Sequence, residues 1–170
     1  MIREALERDL PAILDIYNDA ILNTTAVYTY EAQTLSQREQ WFCEKREAGY
    51  PVLVFEADGE AAGFATFGPF RAWPAYKYTI EHSIYAHGGY RQRGIGTALL
   101  KELIRIAEER GYKTLVAGID ESNDASVRMH VKHGFSHAGT IRNAGYKFGR
   151  WLNLAFYEYE LAGPSHPVEK

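Results

Sequence analysis

The stretch from Tyr78 to Ile119 constrains the fold more than any other. It reads as strand, glycine-bearing turn, long helix, strand. "YTIEHSIYA", 78–86, has the β-branched and aromatic content of a strand. Ile95, Leu99, Leu103 and Ile106 then recur on one helical face, and Gly111 suits a C-terminal stop. "TLVAGI", 114–119, is a short apolar strand of the buried kind. Such a β-α-β unit sets two strands in parallel and covers them with the connecting helix. Every other element must join that sheet.

The flanks supply those elements. Asp9 reads as an N-cap with Pro11 in the first turn, and Leu10, Ile13, Leu14, Tyr17 and Ile21 share one face. Ser36 and Glu39 form an S-x-x-E capping box for a second helix through about Ala48. Residues 52–57 read as a strand, Asp58-Gly59 as a turn, and "AAGFATFG" as its hairpin partner. Asn123 or Ser122 caps a short helix that ends at Gly134, and 135–141 and 151–161 read as two final strands. The order is β-α-α-β-β-β-α-β-α-β-β. It predicts an α/β (α+β) fold with a mixed, mostly antiparallel sheet of about seven strands and helices on both faces. The chain of 170 residues suits one domain, taken as 1–162, with 163–170 as a flexible tail.

Composition excludes several classes. A net charge of -3 gives no sign of a nucleic-acid or anionic-membrane partner, so any anion site must be local. Cys43 is the only cysteine, which rules out an intrachain disulfide; it reads as a small packed residue rather than a nucleophile. "MIREALERDL" is too charged for a signal peptide, and no segment has the apolar length of a membrane span. The expected location is the cytoplasm. Aromatic residues make up 14%, which suits a large core, a subunit interface or an amphipathic pocket.

Residue parity splits the 78–86 strand. Ile80, His82 and Ile84 share one face; Thr79, Glu81, Ser83 and Tyr85 share the other. A mid-strand carboxylate must be solvated or paired. Glu81 is therefore either a solvated edge residue or a pocket carboxylate with a raised pKa, ready to act as a base. "HGGYRQRGIG" follows and opens a helix, whose unpaired amides favour an anion. Gly94 and Gly96 permit close approach, and Arg91 and Arg93 add charge. A Walker loop would need Lys after Gly96, where Thr97 stands. A dinucleotide fingerprint would need a third glycine, where Leu99 stands. A plain connecting turn remains open.

"RQRGIG" resembles the R/Q-x-x-G-x-G/A signature of the GNAT superfamily of N-acetyltransferases, whose element order is also similar. "SNDASVRMHVKHGF" resembles that family's second cofactor segment. "IYNDAI", "GYPVLV", "YTIEHSIYA", "SVRMH" and "KFGRWLNL" resemble phosphinothricin and methionine sulfoximine acetyltransferases. The resemblance implies an enzyme that uses acetyl-CoA as co-substrate, without a metal, and acetylates a small amino-acid-like amine by direct transfer in a ternary complex. It also implies a link to herbicide resistance and a homodimer whose interface lies near Lys147 to Trp151. The alternatives are an acetyltransferase of peptide or protein amines, and a non-catalytic CoA-binding module.

Site residues follow from the same resemblance. Cofactor contacts fall on Ile84, Tyr85, Ala86, Arg91, Gln92, Arg93, Gly94, Ile95, Gly96, Thr97, Asn123, Ser126 and Lys132. A backbone N–H near Ile84 would donate to the oxyanion. An α-amine with a pKa of about 8 must lose a proton to attack, and Glu81 is the candidate base. His130 stands where many members have Tyr; it could protonate the thiolate, or pack and hydrogen-bond. His130, His133 and His137 do not make a metal site, because Gly134 ends the helix first. Arg71 could grip a carboxylate or phosphinate. Tyr28, Tyr30, Tyr76, Glu81 and Ser83 complete the expected substrate set, with Glu31, Trp73 and Tyr78 as further wall residues.

Overall fold

The computed structural model describes residues 1–90 and 94–170. Its strands are β1 (Ile2–Glu4), β2 (Val52–Ala57), β3 (Glu60–Pro69), β4 (Thr79–Ala86), β5 (Thr114–Asp120), β6 (Ser136–Lys147) and β7 (Arg150–Glu160). Its α-helices are α1 (Leu10–Asn23), α2 (Leu35–Ala48), α3 (Ile95–Glu109) and α4 (Asp124–Lys132). The seven strands run in the order β1-β2-β3-β4-β5-β7-β6. β4 and β5 are parallel, as the β-α-β reading requires. The β1–β2, β2–β3, β5–β7 and β6–β7 pairs are antiparallel. The mixed sheet expected from the element order is the one observed.

The chain forms two compact units. The first holds Met1–Thr24, Tyr30–Gly68 and Ser83–Leu103. Leu10, Ile13 and Ile16 of α1 and Phe42 of α2 pack on Val52, Val54 and Phe64. Successive strand residues face opposite ways, so Gly63 looks away from that layer and toward α3. There a Cβ would lie 2.7 Å from Ile95 Cγ2, so only glycine lets the helix settle this close. Arg38 is buried between the rings of Tyr17 and Trp41, each 4.1 Å from its guanidinium carbon.

The second unit holds Thr25–Thr29, Pro69–His82 and Ile104–Lys170. β5 is paired with β7 along its whole length and β7 with β6. The 163–170 segment, expected to fray, is tied down at one point: the Val168 N–H donates to the Tyr78 hydroxyl over 3.0 Å.

Four local readings are corrected. Asp9 holds the N-cap position of α1 but makes no cap bond; its carboxylate takes Arg3 in two hydrogen bonds (2.7 and 2.9 Å) and the Leu6 N–H. α2 is capped by Thr34 with Gln37, not Ser36 with Glu39. "TLSQRE" fits the box in both frames, and Leu35 begins the helix. Cys43 is exposed, because α2 turns Arg38 and Phe42 inward. β6 continues past Ile141 to Lys147, since a bulge between Ile141 and Gly145 absorbs Asn143 at φ 54.

Candidate active site

Glu81 and His82 stand side by side on β4 and point to opposite faces. Glu81 is half-buried and has no hydrogen-bond partner among the described residues; burial alone raises its pKa. Its ladder partner on β5 is Val116. Gly118, two residues on, shares that face, and a Cβ there would lie 3.0 Å from Glu81 Oε2.

On the opposite face His82 meets His130 of α4. Their Nε2 atoms are 2.9 Å apart, and the rings stack at 5.1 Å between centroids. The tautomers follow from the partners. His130 Nδ1 is 2.7 Å from the Ser126 carbonyl oxygen, which can only accept. His130 Nδ1 therefore carries the proton, its Nε2 accepts, and His82 Nε2 donates. His82 Nδ1 is left buried, without a partner among the described residues. Burial, helped by the neighbouring His130, pushes the His82 pKa down to about 3; burial lowers His130 too. Phe135 closes the pair edge-on at 5.0 Å from the His130 ring.

The α4 helix is started by Asn123, one of the two caps the sequence offered, whose side chain accepts the Ser126 N–H at 3.2 Å. Just before it, Asp120 collects the hydroxyls of Tyr28 (2.7 Å), Thr25 (2.9 Å) and Ser122. Burial alone would raise the Asp120 carboxyl, but these three bonds hold it below the ordinary carboxylate value. Burial, then Asp120, raises the Tyr28 phenol. Lys147 Nζ donates to the Val27 carbonyl at 2.7 Å, and Gly145 gives the Tyr28 ring its seat, since a Cβ there would lie 2.7 Å from the ring. The 25–29 segment is thus fastened at several points within its unit.

The remaining expected residues are distributed as follows. Arg71 and Tyr76 sit on the exposed 70–77 loop, with the Arg71 guanidinium 5.7 Å from the Tyr76 ring. Tyr30 is 66% exposed. Ser83, Ile84, Tyr85 and Ala86 are half-buried in the first unit, where the Tyr85 ring packs on Phe64 at 5.1 Å. Gly94 precedes α3 at φ 71, with no atom of the described residues within 4 Å of where a Cβ would be, and its carbonyl accepts the Ala98 N–H. Ile95 is buried there, whereas Gly96 and Thr97 are half-exposed; Lys132 is exposed on α4. Arg91, Gln92 and Arg93 lie outside the described residues. Among the described residues no three side chains gather as a metal site, and no helix is long and apolar enough to cross a membrane.

Sequence reasoning missed Gly118, His82 and Asp120. A glycine inside a strand is a signal of close approach, and a histidine among isoleucines on one strand face is a signal of a buried partner. Asp120 had no local signal, because its Tyr28 partner is 92 residues away.

Known proteins bear on this arrangement. Residues 10–135 match the acetyltransferase (GNAT) family. The L-methionine sulfoximine/L-methionine sulfone acetyltransferase of Pseudomonas aeruginosa is 42% identical over 94% of each chain. The phosphinothricin N-acetyltransferase of Streptomyces viridochromogenes is 37% identical over 98% of this chain and 92% of its own. The yncA protein of Salmonella typhimurium, solved with its cofactor acetyl-CoA, superposes with a TM-score of 0.95 at 39% identity, over 99% of this chain and 97% of its own. By these matches the chain belongs to the GNAT family of acetyltransferases.

Proposed function

We propose that the chain moves the acetyl group of acetyl-CoA to the amine of a small amino-acid-like substrate of the methionine sulfoximine, methionine sulfone or phosphinothricin type. The observation that carries this reading is Glu81, a half-buried carboxylate with no hydrogen-bond partner among the described residues, whose proton affinity burial raises. The amine loses a proton to Glu81, directly or through a water. Its lone pair attacks the thioester carbonyl, the oxyanion is met by a backbone N–H near Ile84, and collapse breaks the C–S bond, the leaving thiolate taking up the surplus proton of the new amide nitrogen. Transfer is direct, within a ternary complex. Of the two roles open to His130, the engaged ring nitrogens favour positioning: the His82 pair and the Ser126 bond hold α4 in place.

Acetyl-CoA suits the residues present. The open backbone at Gly94 and the first amides of α3, at Ile95, Gly96 and Thr97, fit a pyrophosphate, with Arg91, Gln92 and Arg93 beside them in sequence. Tyr85 and Ala86 extend the Ile84 edge, and Asn123, Ser126 and Lys132 supply the second cofactor segment. Arg71, Tyr76, Tyr28, Tyr30 and Ser83 are assigned to the amine substrate. Domain 1–162 carries the activity in the cytoplasm, and phosphinothricin acetylation would give herbicide resistance. The chain pairs as a homodimer through the β6–β7 face, where Tyr146, Phe148 and Trp151 are exposed.

The test is release of CoA thiol with phosphinothricin, methionine sulfoximine, methionine sulfone, free amino acids, polyamines and peptides. Turnover is expected on the first three. Turnover confined to peptides would overturn the reading.

A further inference from the structure

Gly118 has a normal backbone, so the conformational freedom of glycine does not explain it. What it lacks is a side chain, and the space left is bounded in an informative way. From a Cβ at this position, Glu81 Oε2 would be 3.0 Å away, Leu154 Cδ1 3.5 Å and Phe156 Cε1 3.6 Å. Phe156 is the direct cross-strand partner of Gly118, and Leu154 lies two residues along β7. The tip of the Glu81 carboxylate therefore lies beside the bare, solvent-exposed backbone of Gly118, and the other side chains nearest that gap are apolar. Neither Leu154 nor Phe156 can donate a hydrogen bond from its side chain. A donor there would stabilise the ionised carboxylate and weaken it as a base.

We infer that Gly118 is a positioning residue for Glu81, keeping open the space beside that carboxylate which any side chain at 118 would enter. This rests on Glu81 being the base. An alanine methyl would crowd Oε2, and the flexible carboxylate would yield rather than the sheet. The strand would not suffer, since glycine weakens a strand interior. Activity and stability should thus move independently, which a merely structural glycine would not allow.

The test compares the parent with Gly118→Ala, Gly118→Ser, Glu81→Gln and the Glu81→Gln/Gly118→Ala double variant. Each is assayed with acetyl-CoA and methionine sulfone, or with whichever amine of the panel is turned over, and each is melted. Gly118→Ala is expected to lower kcat on the order of tenfold to a hundredfold, with the acetyl-CoA KM unchanged and no fall in Tm. Its effect should vanish in the Glu81→Gln background, since both changes act through one group. Gly118→Ser should shift the acid limb of the kcat/KM profile to lower pH by donating to the carboxylate. The proposal is overturned if Gly118→Ala keeps kcat within about twofold, if its loss multiplies in full onto Glu81→Gln, or if Tm falls with kcat. Unaltered kcat in Glu81→Gln alone would remove the base and this proposal with it, whatever Gly118→Ala does.

Discussion

Tyr28 carries more of its surroundings than its position in a polar, threonine-rich stretch suggests. Its hydroxyl donates to Asp120, lies 3.2 Å from the Asn153 carbonyl, and its ring covers Gly145. Removing that hydroxyl leaves a part-buried carboxylate short of one donor. Tyr28→Phe is expected to cost about 1–2 kcal/mol, read by urea unfolding. It should also let the Asp120 pKa rise toward the ordinary range. Equal stability of variant and parent would mean that the bond is absent in solution. At this scale the sequence was legible only where a residue type is chemically loud. Glu81 stood out as a mid-strand carboxylate; Asp120 did not, because its partners come from distant segments.

Element ends show the same division. Asn123, Gly111 and Gly134 were legible because capping is local, and the structure keeps all three roles: Gly111 and Gly134 sit at φ 76 and 97. The α2 cap was misread because two overlapping frames obey the same rule. His82 among isoleucines signalled a buried partner for β4, but nothing local said that the partner is His130 of α4. That pairing of His82 with His130 has a thermodynamic consequence. Both folded pKa values are lowered, His82 to about 3, so the unfolded chain takes up protons first. Stability from this pair is complete above the ordinary histidine pKa of about 6.5 and is lost progressively as pH falls toward 3. Melting the protein from pH 8 to pH 4 should show Tm falling below about pH 6.5. A His82→Gln variant should show a shallower fall; an identical slope would mean that the pair does not remain neutral in the fold.

For the molecule as a whole, the order of elements was legible throughout, because hydrophobic period and turn chemistry fix each in turn. The sheet order was not. Nothing local says that β7 inserts between β5 and β6, yet that insertion places Phe156 and Leu154 beside Gly118. The exposed Tyr146, Phe148 and Trp151 belong to the outer hairpin that results. If this face pairs two chains, light scattering of the parent should give twice the chain mass, and Trp151→Asp should shift it toward the monomer. A monomeric parent would remove the homodimer.

The fastening of residues 25–29 also bears on how the protein is made. Their anchors, Asp120, Lys147 and the Asn153 carbonyl, are translated 92 to 125 residues after the groups they hold. At ribosomal speeds that is a delay on the order of ten seconds. α1, α2 and the β2–β3 hairpin are complete before any of these anchors emerges. The proposed substrate wall is therefore among the last parts of the nascent chain to take shape, and a chain cut short before β7 would keep its first helices while lacking that wall.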